Sequence, residues 1–355
     1  MCVWVESAAS GAKGAVVDDV VDMAFAASLQ VHVPRGHAGY VEDPTRDRAE
    51  PPQRDKGASV QGVRSRSAHG CYTCVVSTRL LILGGGFTGA AVARRALADG
   101  ARVATTTRDA SRAAALEQAG VQAIVLPTWT ADALAAHVDE ATRVVVTFPP
   151  DGVTDRAVAK GVARAAAVAY VSSTGVYGDV RGRVDDDTPA HATSARAIAR
   201  LDAEAAWRDV GAVIVRAPGI YGPERGVHVR LARGTFRIPG DGRNFVSRIH
   251  VDDLAATLWA LVVRGARDAT FVTGDAEPTT HWTVVQWLCD AMHLPLPPHV
   301  PLDQVDETLR NDRRVDGGRL RAWVGVPLVY PTYKEGFAQC LAAERRDGAP
   351  GSSPS

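Results

Sequence analysis

The sequence predicts an α/β protein: a doubly wound parallel sheet with a small mixed C-terminal lobe. Two observations predict this class. From residue 79 onwards, short and nearly continuous apolar runs alternate with amphipathic stretches, as expected for parallel strands that helices cover on both faces. A glycine-rich turn at residues 84–89 separates the first apolar run from the first amphipathic stretch. The length of 355 residues would suit one large domain or two ordinary ones.

The individual elements follow from this alternation. Strands are predicted at residues 80–83, 103–106, 123–126, 143–147, 169–172 and 212–215. Helices are predicted at residues 90–98, 111–118, 131–138, 154–166 and 194–208. After the sixth strand the alternation loosens, and helices are predicted at residues 251–263, 282–292 and 333–343. Residues 224–344 are therefore expected to form a smaller lobe over the carboxyl edge of the sheet, where doubly wound folds bind ligands.

The two ends of the chain differ from this pattern. Residues 41–70 are rich in Arg, Asp, Pro, Gly and Ser, and nearly free of large aliphatic side chains. Such a segment buries too little apolar surface to offset its ordering entropy, so residues 1–77 are predicted to be mostly disordered. A further hypothesis is that this leader is not native and that translation begins near Val75 or Val76. The polar tail, residues 345–355, is also predicted to be disordered, which leaves residues 78–344 as the folded domain.

Composition excludes several classes of partner. The chain is 46% apolar and 23% charged with a net charge of zero, which gives no reason to expect nucleic acid or an anionic membrane as partner. It has neither an apolar run of about eighteen residues nor a secretory signal pattern, so a cytoplasmic protein is expected. Cys71 and Cys74 form a C-x-x-C pair, but no second ligand pair follows them, so no metal site is predicted.

The glycine-rich turn predicts a binding site for a dinucleotide. Gly84, Gly86 and Gly89 match G-x-G-x-x-G in the required context, directly after an apolar strand and at the start of a helix. The first glycine permits the tight turn, the second lets the backbone approach the pyrophosphate, and the third lets helix and strand pack closely. Phe87 and Thr88 begin the helix, whose N–H groups and dipole would hold the pyrophosphate. The sequence thus predicts a Rossmann domain that binds NADP or NAD.

The residues after the second strand predict which dinucleotide is bound. NAD enzymes usually place an acidic residue there for the ribose 2′-hydroxyl, whereas an arginine accommodates the 2′-phosphate of NADP. Arg108 is the candidate for the 2′-phosphate, assisted by Thr107 and Arg112. Asp109 would take the 2′-hydroxyl of NAD instead if the strand ended one residue later. NADP is favoured, and NAD stays open.

Four further segments, in order along the chain, resemble one family. They are residues 170–178 (YVSSTGVYG), residues 216–223 (RAPGIYGP), residues 248–255 (RIHVDDLA), and residues 271–274 (FVTG) followed by the helix from Trp282. Together with the glycine loop they resemble the extended and atypical short-chain dehydrogenases/reductases, the NAD-dependent epimerase/dehydratase family. The resemblance covers residues 79–344. It implies a nicotinamide cofactor and a small-molecule substrate, and a monomer or homodimer is expected.

The resemblance also implies roles for residues beside the cofactor. Ser172 at the end of the fifth strand, and Pro218 and Ile220 after the sixth, are expected to lie along the cofactor. Thr147 and Pro149, which follow the fourth strand, are expected to shape its cleft. His250 and Asp252 stand at a helix start, where the simplest interpretation is that they form a cap and local packing.

The catalytic pattern of the family is only partly present. Its members use a Ser or Thr hydroxyl, a Tyr acid/base and a Lys four residues after that Tyr. Ser173 matches the hydroxyl, Arg200 stands at the Lys position and could orient the nicotinamide ribose, and Arg196 stands at the Tyr position. A guanidinium cannot donate a proton near neutral pH. Tyr177 and Tyr221 are the nearby phenols in matched motifs, although packing is the simpler interpretation of each. The predicted catalytic set is therefore Ser173, Tyr177 and Arg200.

Three functions remain open from the sequence. The first is an NAD(P)-dependent oxidoreductase or epimerase acting on a small polar metabolite, for which fold analogy suggests nucleotide sugars as one class. The second is hydride transfer to an activated carbon–carbon double bond, with solvent or Ser173 handling the proton. The third is a non-catalytic, NADP-binding redox sensor or regulator, which Arg196 favours.

Overall fold

The computed structural model describes residues 78–151 and 153–347. The predicted leader, residues 1–77, and residues 348–355 of the predicted tail lie outside the described residues. The strands in chain order are β1 (Arg79–Leu83), β2 (Arg102–Thr107), β3 (Gln122–Val125), β4 (Thr142–Val146), β5 (Ala167–Ser173), β6 (Gly182–Val184), β7 (Val213–Ala217), β8 (Gly219–Tyr221), β9 (Ile238–Pro239), β10 (Phe245–Val246), β11 (Arg248–His250), β12 (Thr270–Val272), β13 (Thr279–Thr280), β14 (His299–Val300) and β15 (Arg313–Val315). The helices are α1 (Phe87–Ala98), α2 (Ala113–Gln118), α3 (Ala131–Ala135), α4 (Thr154–Val158), α5 (Ala195–Arg208), α6 (Val227–Ala232), α7 (Val251–Val263), α8 (His281–Met292), α9 (Gly318–Val324) and α10 (Tyr333–Asp347).

Seven parallel strands form the central sheet in the order β12-β7-β5-β4-β1-β2-β3. The chain runs outward from β1 to β3 and then returns to β4 on the other side of β1. This reversal places a topological switch point between β1 and β4, where the connections at the carboxyl ends diverge and leave a crevice. Leu83 pairs with Val146 in β4 and Thr106 in β2, so the three strands end at nearly the same level.

Alternate residues of the strands enter two different cores. In β1, Leu80 and Ile82 pack in the core that also contains buried residues of α1 and α7. Leu81 and Leu83 pack in the core on the opposite face, which also contains residues of α3, α4 and α5. Burial on both faces explains why the strands read as continuous apolar runs, and it confirms the doubly wound α/β class.

The predicted helix at residues 154–166 is shorter and irregular. α4 ends at Val158 and continues as a 3₁₀ turn over Ala159–Val162. In this turn, a Cβ on Gly161 would lie 2.4 Å from the backbone oxygen of Ala131. The backbone therefore approaches α3 more closely than any residue with a side chain allows. The next strand, β5, also begins two residues earlier than predicted, at Ala167.

The C-terminal lobe has a separate apolar cluster beside the sheet, built from α6, α8, α10 and the small strands β8 and β9. Four two-stranded pairs, β10-β13, β11-β8, β14-β9 and β15-β6, connect its loops. α7 has the bounds predicted from sequence, and α10 continues to Asp347. Within the described residues, no helix combines the length and apolar character needed to cross a membrane.

Candidate dinucleotide-binding site

The loop between β1 and α1 is fastened to the end of β4. Gly84 has a φ of +103°, a conformation that favours glycine, and a Cβ there would lie 2.8 Å from the amide nitrogen of Phe148. Thr147 Oγ1 donates a hydrogen bond of 2.5 Å to the Gly84 oxygen. Thr147 is thus placed at the crevice, where it holds the glycine loop against the neighbouring strand.

The other two glycines of the loop meet different surroundings. A Cβ on Gly89 would lie 2.0 Å from the Gly84 oxygen, so α1 can pack on the loop only without a side chain at this position. A Cβ on Gly86 would meet no atom of the described residues within 4 Å. Gly86 precedes α1 and has no side chain to accept from the first-turn amides of Phe87 and Thr88. The loop is therefore closely packed at Gly84 and Gly89 and open at Gly86. This arrangement fits a pyrophosphate bound at a helix N-terminus.

Arg108 is the first residue after β2, which ends at Thr107. Its guanidinium donates to Thr154 Oγ1 at 3.2 Å, lies 3.9 Å from Asp151 Oδ2, and stacks over the Trp129 ring with 5.2 Å to the centroid. Its side chain is still 59% exposed. These contacts hold the charge at the carboxyl edge of the sheet and leave it accessible to a ligand.

Asp109, the alternative candidate for binding the ribose 2′-hydroxyl, forms hydrogen bonds with a neighbouring residue. Its carboxylate accepts from the Ser111 amide at 2.8 Å and the Ser111 hydroxyl at 2.7 Å, and so caps the 3₁₀ turn Ala110–Arg112. These hydrogen bonds hold the pKa of Asp109 below its usual value. Thr107 Oγ1 donates to the Asp109 carbonyl at 3.1 Å, and Arg112 is the half-buried last residue of the turn.

The two serines at the end of β5 have different surroundings. Ser172 is buried, and its hydroxyl donates to Glu204 Oε1 on α5 at 2.5 Å. Ser173 is half-buried, and its hydroxyl oxygen accepts from the Gly175 amide at 3.0 Å. Consecutive residues of a strand point to opposite faces, so only one of the pair can be directed at a given ligand. The Ser172 hydroxyl therefore belongs to an internal network, and the place of Ser172 along the cofactor stays a prediction.

That network centres on Glu204, which is fully buried, and connects α5, β5 and β7. The Glu204 carboxylate accepts two hydrogen bonds from Arg216, at 3.0 Å from Nε and 2.8 Å from Nη2, and a third from Arg208 at 2.7 Å. Burial alone would raise the pKa of Glu204, but the hydrogen bonds and charge of its partners outweigh burial and lower the pKa. This network could not be predicted from the sequence, because Glu204 lies on α5 and Arg216 on β7.

Tyr177 belongs to the same network. It is completely buried, its hydroxyl accepts from Arg216 Nη1 at 3.2 Å, and burial raises its pKa. Tyr221 is also buried, and a Cβ on Gly336 would lie 1.9 Å from its hydroxyl. The Tyr177 phenol is therefore used internally, and both tyrosines pack within the protein. The catalytic role of Tyr177 stays a prediction.

Helix α5 carries the two arginines that the sequence resemblance places at the Lys and Tyr positions. Arg200 is half-buried, and its Nη1 donates to the Tyr170 hydroxyl at 3.0 Å and the Val171 carbonyl at 3.3 Å. The guanidinium thus binds β5, close to Ser173. Arg196 is exposed in the first turn of α5.

The remaining predicted site residues lie at the carboxyl ends of β4 and β7. Pro149 is exposed beyond β4, and Pro218 and Ile220 are half-buried after β7. His250 caps α7 by accepting from the Asp252 amide at 3.3 Å, as predicted. Within the described residues, no three or more His, Cys, Asp or Glu side chains are grouped to hold a metal ion.

A parallel sheet with a reversal beside an open glycine loop defines the class of dinucleotide-binding Rossmann proteins. The NAD(P)H-binding family model matches residues 84–263, about half of the chain, and the protein belongs to this family. The chain is thus an NAD(P)-binding protein. Its structural neighbours include a putative NAD-dependent epimerase/dehydratase and a dTDP-glucose 4,6-dehydratase.

Individual proteins resemble the chain over different lengths. A conserved protein of unknown function from Silicibacter pomeroyi DSS is 29% identical, with a TM-score of 0.65 covering 75% of this chain and 99% of the other. The dTDP-glucose 4,6-dehydratase of Bacillus anthracis, solved with NAD, shares the fold at 15% identity, with a TM-score of 0.64 over 77% and 98% of the two chains. A 3-diazoavenalumate denitrifying reductase from Streptomyces sp. is 27% identical over 173 residues, 44% of this chain and 56% of that protein. The chain thus matches about half the length of this relative.

Proposed function

We propose that the protein is an NADPH-dependent reductase of a small polar electrophile. The observation that carries this proposal is the glycine loop, which is fastened at Gly84 and Gly89 and open at Gly86, at the same edge of the sheet as the Ser173 hydroxyl. When bound, the reduced nicotinamide supplies a hydride, by which the cofactor is oxidised and the substrate reduced. The similarity to a named reductase supports this direction of the reaction.

Ser173 would act on the charge that develops on the substrate. Its oxygen already accepts from the Gly175 amide, so its O–H is the group that can donate to a substrate atom. Arg196 supplies no proton, and the phenols of Tyr177 and Tyr221 are buried. The electrophile that fits is therefore one whose reduction needs no protein acid. An activated double bond satisfies this requirement, as does a diazo compound of the kind named in the reductase relative.

Replacing Ser173 with alanine is expected to lower kcat by about 10- to 100-fold with little change in KM, because the lost hydrogen bond strengthens as charge develops. NADPH consumption with a panel of carbonyls, enones, diazo compounds and nucleotide sugars measures this effect. Tyr177→Phe is the control, since it removes a buried hydroxyl and should change kcat little. Equal kcat for Ser173→Ala and the unmodified protein would remove Ser173 from the mechanism.

Cofactor preference is proposed to depend on Arg108. Replacing Arg108 with alanine should weaken NADPH about 10-fold and leave NADH unchanged, because only the 2′-phosphate would contact the guanidinium. Titration of the purified protein with each nucleotide gives both dissociation constants. Asp109→Ala tests the alternative: a selective loss of NADH binding in this variant would assign the ribose contact to Asp109 and overturn the NADP proposal.

A second candidate function is a non-catalytic NADP-binding regulator. The observation that favours it is Arg196, which stands exposed on α5 at the position of the family's catalytic tyrosine. The two candidates differ in turnover. A regulator binds NADPH tightly and consumes none across the substrate panel, whereas the reductase consumes it with at least one class. Action on nucleotide sugars stays a prediction that the same panel tests.

A further inference from the structure

The C-terminal lobe buries polar atoms that have no hydrogen-bond partner among the described residues. They are the hydroxyl of Tyr221, Nη1 of Arg248 and Nε2 of His281. Both carboxylate oxygens of Asp275 likewise make no hydrogen bond of ordinary geometry, although the Glu277 amide is near enough to act on the pKa of this group. Tyr221, Arg248, Asp275 and His281 are only 3%, 6%, 2% and 5% exposed, respectively. Proteins leave few buried polar atoms unsatisfied, so a group of this size requires an explanation.

Arg248 is the common neighbour of the other three. The Asp275 amide donates to the Arg248 carbonyl at 2.8 Å, which places the two residues side by side. In the β11–β8 pair, Arg248 is opposite Gly219, two residues from Tyr221 on the same strand. The charge of Arg248 also acts on the pKa of Asp275, Tyr221 and His281. Arg248, Asp275 and Tyr221 therefore lie close together, and the charge of Arg248 reaches His281.

This region has an excess of positive charge. No acidic side chain of the described residues lies within ion-pair distance of the Arg248 guanidinium. Burial raises the pKa of Asp275 to about 7, so near neutral pH its carboxyl group is only partly ionised. Burial likewise lowers the pKa of His281 to about 4, which leaves the imidazole neutral. A buried guanidinium without a full counter-charge is costly, and an anion that binds there would relieve the cost.

We propose that these side chains form a binding site for a small anionic group, a carboxylate or a phosphate. Arg248 supplies the charge and Tyr221 a neutral donor, while Asp275 can accept from a hydroxyl on the same ligand. This anion site does not rest on the proposed reductase function.

The test measures binding of inorganic phosphate and of acetate to the full chain, by the shift in Tm at constant ionic strength. Saturating NADP⁺ is present, so that the glycine loop is already filled. At least one anion is expected to raise Tm, and Arg248→Met should weaken its binding by about 10-fold or more. Arg313→Met is the matched control: Arg313 is also buried but donates to the Gly178 carbonyl at 3.0 Å. This control should lower Tm and leave anion affinity unchanged.

Asp275→Asn keeps the size of the side chain and removes the competing negative charge. It should tighten anion binding by about 3- to 10-fold, the opposite sign to Arg248→Met. If Arg248 and Asp275 were only a structural pair, Asp275→Asn would leave anion affinity unchanged, and that result overturns the proposal. So does the absence of any anion-dependent shift in the unmodified protein. Without NADP⁺, the Arg248-dependent part of the response should persist, so failure of the dinucleotide proposal leaves this readout intact.

Discussion

Replacing Gly86 with alanine is expected to weaken NADPH and NADH together, by about 100-fold or more, without harming the fold. The methyl group would enter the open space in front of the loop, which the pyrophosphate is proposed to occupy. In the described part of the protein, no atom beyond the neighbouring residues lies within 4 Å of this methyl group. Gly86 also has φ and ψ of −73° and −162°, values that alanine adopts easily. Stability should even rise by about 0.4–1 kcal/mol, since alanine lowers the entropy of the unfolded chain.

Fluorescence titration with both nucleotides and a thermal melt measure the two effects on one sample. Gly89→Ala is the informative contrast. Its methyl group would lie 2.0 Å from the Gly84 oxygen, so this variant should lose stability as well as binding. If Gly86→Ala bound both nucleotides as tightly as the unmodified protein, the glycine loop could not be the pyrophosphate site.

Replacing Glu204 with alanine is expected to have the largest effect on stability, a loss of about 3–5 kcal/mol. The substitution leaves the Arg216 guanidinium buried with no carboxylate beside it, and removes the acceptor of the Ser172 and Arg208 hydrogen bonds. Asp202→Ala, two residues earlier on α5, is the control. Asp202 forms an exposed ion pair with Arg156 at 3.7 Å, and its loss should cost less than about 1 kcal/mol.

The unmodified protein and Glu204→Ala should also differ in how their stability responds to pH. The pKa of Glu204 is lowered in the folded state, so its contribution is present above the pKa of the unfolded chain and is lost as pH falls through the folded value. Urea unfolding between neutral pH and pH 3 should therefore show a steeper acid loss in the unmodified protein than in Glu204→Ala. Parallel curves would show that Glu204 is not ionised in the folded protein.

The sequence predicted the sheet well, because buried strands must be apolar on both faces and this pattern is local. The glycine loop was equally predictable, because each glycine is needed for the conformation or close packing of the backbone around it. The sequence did not show which of Ser172 and Ser173 directs its hydroxyl towards a ligand. Both serines match the family motif at the end of β5. Only the 3₁₀ turn that begins at Thr174 and the position of Glu204 show that the Ser172 hydroxyl points into the interior.

The buried charged residues could not be predicted from the sequence for a different reason. Glu204 and Arg216 stand twelve residues apart on a helix and a strand, and neither pattern marks a charged residue as internal. Arg248 and Asp275 become neighbours only through the backbone hydrogen bond between β11 and the loop after β12. Pairings of this kind depend on tertiary packing, which local periodicity does not contain.

The hydrogen bond from Thr147 to Gly84 has a consequence for the order of folding. It joins residues 63 positions apart, so the loop after β1 is secured only when β4 has docked beside β1. Such non-local contacts form late in folding. Bringing distant parts of the chain together costs conformational entropy before the contact itself stabilises the fold. During synthesis, the first three strands should therefore emerge without affinity for a nucleotide, and a fragment that ends before Thr142 should not acquire it.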